Sequence, residues 1–448
     1  MQETPATTLA GHFSTLDFDA IPAVEVAKMK RLVLDWFGVA ISGSQTESGR
    51  IAAEFSALTG GVEDATLIGR GGRVPATNAA FANAIASHSI ELDDVDVLAL
   101  FHFSPPVVSA GLAAAERVKA NGRTLLAGLI AGSEVMARAS NATNFSLRNR
   151  GFHTTPTCGV FGATIAATRI SGLSVDQTVS ALGLAGAQAA GLMEMYGPSM
   201  QKRFNPGPAA RGGLTATMMA ELGFTGAATI FEGRYGFCQA YSDEYDVARL
   251  TENLDSYHLE IEHKPHSCAR PIHNAIDCAL GIAQQLREPV SAIKSIVVRR
   301  HPQWASYHLN RAPSTYHEAQ MSLPYSVAIA LVEGGALPSQ YQNAKLRDPE
   351  LTRLAGMVEV VPDETLPRGV SCHMTITTTG GQEASLQVDY PLGSIENPMS
   401  DEAMARKFHL LSDPVIGQRA ARRLAEAIGA LEQVDDIGEM MQLAVARS

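Results

Sequence analysis

From Pro22 to about Leu250 the chain repeats one texture: helix-length apolar segments rich in alanine and glycine, joined by short polar turns, with no convincing strand among them. Small side chains let helix backbones approach closely, so this texture predicts a large body of packed helices. The start and stop signals agree. Pro22 suits a first helical turn and Gly43 an end, giving a helix from Pro22 to Ile41. Ser104 followed by Pro105 and Pro106 reads as a cap with proline at the first helical position, and Thr124 to Ala139 repeats the pattern. Ser174-Val175-Asp176-Gln177 is a capping box ahead of another small-residue helix. Cys158 to Ile170 and Gly213 to Leu222 are further helices of this kind.

After Lys264 the texture changes. Ile293 to Arg299 is β-branched, Met357 to Val361 is a second strand, and His373 to Thr379 and Ser385 to Tyr390 flank Gly380-Gly381 as a hairpin. Leu323 to Glu333 reads as a helix between them, and from Met399 the chain is helical again. No GxGxxG follows a strand, and no internal repeat or low-complexity tract appears. The fold class is therefore mainly α: a large helical domain, residues 1–267 and 395–448, with a smaller α+β domain, residues 268–394, inserted into it.

A net charge of −11 argues against nucleic acid as a partner, because phosphate neutralisation needs basic patches. No apolar run reaches membrane-spanning length, and the first twenty-two residues lack the pattern of a signal peptide. Five widely spaced cysteines with no CxxC suit reduced, structural thiols in the cytoplasm.

Four polar clusters stand out. The first, SHSIELDDVDVLALFH, holds His88, Glu91, Asp93, Asp94, Asp96 and His102. A metal site would pair His88 with Glu91 or Asp93 and borrow His102, but the spacing matches no compact metal motif. The alternative is a solvated loop whose carboxylates cap the next helix, and Asp96 fits that reading. In the second, GFHTTPT, His153 precedes a helix start, where the dipole disfavours the imidazolium. It can serve as a base or a hydrogen-bond donor, or be a buried structural histidine. The third, QKRFNPGPAARGG, sets Lys202 and Arg203 before a helix that could hold a carboxylate; solvent-facing bases are the alternative. The fourth, HKPHSCARPIH, packs Lys264, His266, Cys268, Arg270 and His273 together. A carboxylate-binding pair of Lys264 and Arg270 is more economical than an irregular zinc set of His263, His266, Cys268 and His273 or an activated Cys–His pair, and a basic helix start exposed to water is the alternative.

Taken in order, HSIELDD with a following HFS, GFHTTPTCGVFGA, ALGLAGAQAAGL with QKRFNPGPAARGG, GFTGAATIFEGRYGF, KPHSCARPIH and MSLPYSVAIAL resemble the MmgE/PrpD family over most of the chain. Its members include 2-methylcitrate dehydratases, cis-aconitate decarboxylases and iminodisuccinate epimerases. The resemblance implies a helical domain with an inserted α+β lid, a homodimer, a small di- or tricarboxylate substrate, and no metal or organic cofactor. It also implies a pocket lined by Asp93, His102, His153, Lys202 and Lys264, with Tyr325 from SLPYSVA. Dehydrating and decarboxylating members tend to carry Thr where this chain has Val95, and His-Pro-Ser where it has His102-Phe103-Ser104. These departures make the chain look most like the iminodisuccinate epimerase branch. The expected function is then an isomerase moving a proton at a carbon α to a carboxylate. The expected catalytic groups are His153, Lys202, Lys264, Asp93 and Tyr325, and His102, Arg203, Arg270 and His266 would bind substrate. The alternative is a citrate-type hydro-lyase or a cis-aconitate-type decarboxylase.

Overall fold

In the computed structural model, which describes residues 3–97, 101–195 and 197–446, the alanine- and glycine-rich segments are helices crossing at close range. The ends of the expected helical domain, residues 1–2 and 447–448, lie outside the described residues. Helices Gly122–Thr143 and Thr154–Ile170 meet at Gly132 and Gly162. A Cβ on Gly132 would stand 2.5 Å from the Gly162 carbonyl oxygen, and one on Gly162 would stand 2.7 Å from that of Gly132. No side chain fits there without moving a backbone, which is the physical use of the small residues.

The other signals translate closely. The first long helix is Ala23–Gly43, with Pro22 at its N-cap. The capping box forms, with Ser174 and Gln177 bonded reciprocally ahead of helix Val175–Gly186. Helix Pro206–Glu221 opens on proline and begins earlier than its sequence pattern indicates. Ser104 is not the cap it was expected to be. Helix Ser104–Val118 starts on it, and its hydroxyl turns to Asp94.

The longer strands form a four-stranded sheet, in the order Val358–Pro362, Ile293–Arg300, Cys372–Thr378, Glu383–Val388, while Ala65–Thr66 and Arg73–Val74, in the stretch expected to hold no strand, pair as a separate short antiparallel ladder. In the four-stranded sheet the first pair is parallel and the other two are antiparallel, with the hairpin turning at Gly380-Gly381. Helices His273–Ala283 and Leu323–Glu333 pack beside it. The protein is thus mostly helical with a small sheet.

Two large apolar clusters divide the buried side chains. One runs from Ala6 to Ile261 and resumes with Phe408 to Ala444. The other draws on Cys268 to Ala384. The last long helices, Asp401–Ile416 and Gln418–Gly429, therefore return to the first cluster. Among the described residues no helix is long and apolar enough to cross a membrane.

Candidate active site

The stretch that could have been a solvated loop is buried. Every residue from Ile85 to Asp96 is inaccessible or nearly so, including His88, Glu91, Asp93 and Asp94. Charges in such a place need partners, and they come from two distant parts of the chain. Glu91, whose backbone adopts the left-handed region at φ 55°, is the hub. Both its carboxylate oxygens lie 2.5 Å from Lys202 Nζ. Arg203 donates to Oε2, and Lys264 Nζ lies 3.4 Å from Oε1. Lys264 also reaches Asp93 Oδ1 at 3.4 Å and the Glu91 carbonyl at 3.3 Å. Three cations thus face two carboxylates.

This packing sets the protonation states. Burial alone would raise Glu91, but Lys202, Lys264 and Arg203 outweigh it and hold its carboxyl well below the ordinary value. Asp93 follows the same logic, with His102, Lys264 and His88 overcoming burial. Burial brings Lys202 down to about 8 against the opposing pull of Glu91, with Arg203 and Lys264 pushing the same way as burial. Lys264 is the reverse case: burial would lower it, yet Asp93 and Glu91 together carry it above the usual lysine value.

Asp93 also organises two imidazoles. Its Oδ2 lies 2.7 Å from His88 Nδ1 and 3.0 Å from His102 Nδ1. His102 Nδ1 also lies 2.5 Å from the Asp94 carbonyl oxygen. Both acceptors fix the proton on Nδ1 and leave Nε2 of His102 as the nitrogen free for chemistry. Asp94 points the other way, as adjacency on a turn requires. It accepts the Phe103 N–H at 2.7 Å and the Ser104 N–H at 3.1 Å, capping the next helix from a distance. Burial and Asp93 push its carboxyl up, and these donors hold it back.

His153 is the N-cap residue of helix Thr154–Ile170, and its pKa lies well below the usual value, as expected. The leading cause is burial, followed by His88 and Lys202. Asn205 Nδ2 lies 3.0 Å from its Nδ1 and 3.0 Å from the Met195 sulfur, an acceptor, so the amide donates to the ring. The proton of His153 is then on Nε2. His102 and His153 therefore present opposite faces of imidazole chemistry, one a bare nitrogen and the other an N–H.

The structure brings Asp93, His102, His153, Lys202, Arg203 and Lys264 into one cluster. It sets three other expected residues apart. Arg270 pairs with Glu262 at 2.6 Å and donates to Leu392 O. His266 bonds Asp277 at 2.9 Å. Tyr325 is buried in the second cluster, with its hydroxyl 3.3 Å from the Gln340 carbonyl. The irregular zinc set scatters too: His263 faces Asp35, His273 faces Arg270, and burial pushes the Cys268 thiol up to about 12. Among the described residues, His88, Asp93 and His102 are the compact group of metal-ligand type. Their contacts of 2.7 and 3.0 Å are hydrogen-bond distances, shorter than the roughly 3.3 Å between ligands around a tetrahedral zinc.

Several partners escaped the sequence reading. Gln320, fully buried, accepts from Arg203 at 2.7 Å and donates to Ile90 O and Ser267 O, tying the α+β part to the cluster. Lys407 donates to the Leu92 carbonyl at 2.9 Å, between Glu91 and Asp93, and pairs with Asp35 at 2.6 Å. The signal was present: Met404, Lys407, Phe408 and Leu411 form the buried stripe of helix Asp401–Ile416, and a lysine in an apolar stripe demands a buried anion. Lys407→Met strands Asp35 without its main counter-charge. It is expected to lower unfolding free energy by ~3–5 kcal/mol, with Asp35→Asn added to it recovering part of the loss. Urea denaturation of the two variants measures this.

The sequence profile of the MmgE/PrpD N-terminal domain matches residues 7–250, and that of the C-terminal domain matches residues 266–433. Cis-aconitate decarboxylase of Homo sapiens is 26% identical over 441 residues, covering 93% of this chain and 90% of that protein. That of Aspergillus terreus is 27% identical, covering 96% and 94%, and that of Mus musculus is 26% identical, covering 99% and 94%. These relatives are decarboxylases, which are lyases, and they overturn the expectation of an isomerase. The two letters behind that expectation have a structural account. Phe103 is fully buried in the main core with its ring 4.6 Å from Phe101, and its N–H serves Asp94. Val95 is buried and pairs its backbone with Glu262. Their departures therefore bear on packing and loop pairing. With both domain profiles matched in order, the chain belongs to the MmgE/PrpD family.

Proposed function

We propose that this chain is a carboxy-lyase acting on a cis-aconitate-type tricarboxylate. The observation that carries the reading is the convergence of buried Lys202, Arg203 and Lys264 beside His102, whose Nδ1 is anchored and whose Nε2 is free. The names of the relatives support the choice of reaction. Loss of CO2 directly from an alkene carbon would strand an electron pair in a vinyl orbital. Loss from the neighbouring CH2–COO⁻ arm instead delivers the pair into a new double bond. The old double bond shifts its pair toward the far carboxylate, and a proton is added at the far alkene carbon. Such a route needs cations where the charge grows and one placed proton donor. Lys202, Arg203 and Lys264 meet the first need. His102 meets the second once its Nε2 has taken up a proton from water, with Asp93 holding the resulting imidazolium at Nδ1; that proton passes to carbon and leaves Nε2 bare again, and the His153 N–H binds a further carboxylate.

The α+β part then acts as a lid. Lys264 is 1% exposed and Gln320 bridges to Arg203 and Ile90, so substrate enters when these contacts open. Tyr325 and Arg270 belong to that lid, and His266 is tied to it through Asp277. The five buried, free cysteines fit a cytoplasmic protein. Exposed Ile51, Phe55 and Leu58 on one helix suit the homodimer that the family resemblance suggests, which light scattering can test.

The decisive experiment is proton NMR of the protein with cis-aconitate in deuterium oxide. The reading requires CO2 release and one deuteron at the former alkene CH. Hydration alone, or exchange without CO2, would reject it. Because Lys202 acts as a cation, kcat/KM is expected to fall as pH rises through about 8. Lys202→Arg should carry that limb upward.

A further inference from the structure

His88 has no place in the chemistry above, yet it is the most completely enclosed imidazole of the site. It is 0% exposed, and its ring lies 4.9 Å from that of His102 and 6.5 Å from that of His153. Its two nitrogens are treated unequally. Nδ1 is 2.7 Å from Asp93 Oδ2, whereas Nε2 is buried with no hydrogen-bond partner among the described residues. A buried polar atom left unpaired costs ~1–3 kcal/mol, and a purely structural position would be filled more stably by an apolar side chain of the same size. The bond that His88 does make is therefore the reason to look for a role.

That bond falls on the same oxygen, Oδ2, that faces His102 Nδ1 at 3.0 Å. The other oxygen of Asp93 faces Lys264 at 3.4 Å. Were the carboxylate free to turn, it could move toward the ammonium and leave His102 Nδ1 with the Asp94 carbonyl alone. A second N–H fixed on the same Oδ2 opposes that rotation. Every other charged or titratable group packed against the pair, from Glu91 and Lys202 to His153, is engaged elsewhere.

We propose that His88 is a positioning residue: its Nδ1–H pins Asp93 Oδ2 toward His102, which keeps the His102 proton on Nδ1 and Nε2 free for the substrate. The proposal rests on the reading of His102 as the proton-transferring group. The fixed neutral state of His88, which burial lowers to about 3, agrees with an N–H donor and a bare Nε2.

The test uses two variants of the full chain. His88→Asn keeps a side-chain N–H near the position of Nδ1, and His88→Leu fills the space without a donor. With cis-aconitate as substrate, His88→Leu is expected to lose ~10–100-fold in kcat, the usual effect of removing a supporting partner. Its KM should stay within about twofold and its kcat–pH limb should move. His88→Asn should recover most of the rate and the wild-type limb. Equal losses in both variants, or a wild-type profile in His88→Leu, would overturn the proposal. Nitrogen-15 NMR of the wild-type imidazoles decides independently of turnover and of whether the variants fold. It should show His88 protonated on Nδ1 and bare on Nε2, and His102 likewise on Nδ1. A proton on His88 Nε2 ends the proposal. If cis-aconitate is not turned over while the NMR result holds, it is the reading of the reaction that fails.

Discussion

His102→Gln is expected to lower kcat on cis-aconitate by ~10²–10⁴-fold while the protein stays folded. The reason is local. Asp93 Oδ2 at 3.0 Å and the Asp94 carbonyl at 2.5 Å hold one ring nitrogen, so the other is the atom left to carry a proton. Glutamine preserves volume and a polar tip but has no titratable nitrogen. The His102 backbone is held separately, its N–H bonding Thr155 Oγ1 at 3.1 Å, so the loop should keep its course. His153→Gln is the comparison, since its ring offers an N–H held in place by Asn205 and glutamine can still donate one. Its loss should be markedly smaller. Steady-state kinetics with matched melting temperatures distinguishes the two. A His102→Gln enzyme within tenfold of wild type would remove His102 from the proton transfer and leave Lys202 as the candidate donor.

Which parts of this site were legible in the sequence depends on what each residue had to signal. Helices were readable because caps, prolines and glycines act locally. Ser174 and Gln177 close their box within one turn, whatever the rest of the chain does. The strands were readable because β-branched alternation and the Gly380-Gly381 turn are equally local. Burial of the His88–Asp96 stretch was not, because it depends on Lys202, Arg203 and Lys264, 111 to 173 positions away. Adjacent carboxylates look solvated until their counter-ions are seen. Glu91 shows the difficulty: weighed as a metal ligand, it is the anion around which three cations gather. The reaction class was misread for a related reason. Val95 and Phe103 depart from a pattern, but a letter in a motif does not say whether its side chain meets substrate or core, and Phe103 meets core.

Lowering the pH from about 6.5 toward 4 is expected to destabilise the protein steeply, before most carboxylates titrate. The cause is a set of histidines held neutral. His88, His153 and His273 are each fully buried, and burial is the leading reason that each lies below its ordinary value, His88 at about 3. The hydrogen bonds reinforce this. His153 Nδ1 receives the Asn205 amide and His273 Nδ1 receives Arg270 NH1, so neither nitrogen can take a proton without losing its donor. In the unfolded chain the same residues titrate near 6.5. Between that value and their depressed folded values, the unfolded state binds more protons, so unfolding free energy rises with pH and is lost as pH falls. Three such groups amount to about 4 kcal/mol per pH unit within the window. His308 and His317, both lowered to about 4, add to it over a narrower range. Asp94, Glu116 and Glu262, which burial raises, act in the opposite sense near their own values and offset part of the slope. Below pH 4 protonation of Glu91 and Asp93 continues the loss, since their folded values are depressed and their unfolded values are not. Urea midpoints at pH 7.5, 6.5, 5.5 and 4.5 measure the slope. A midpoint that holds steady from pH 7.5 to 5 would mean that these imidazoles accept protons in the folded state, which the Asn205 and Arg270 contacts forbid.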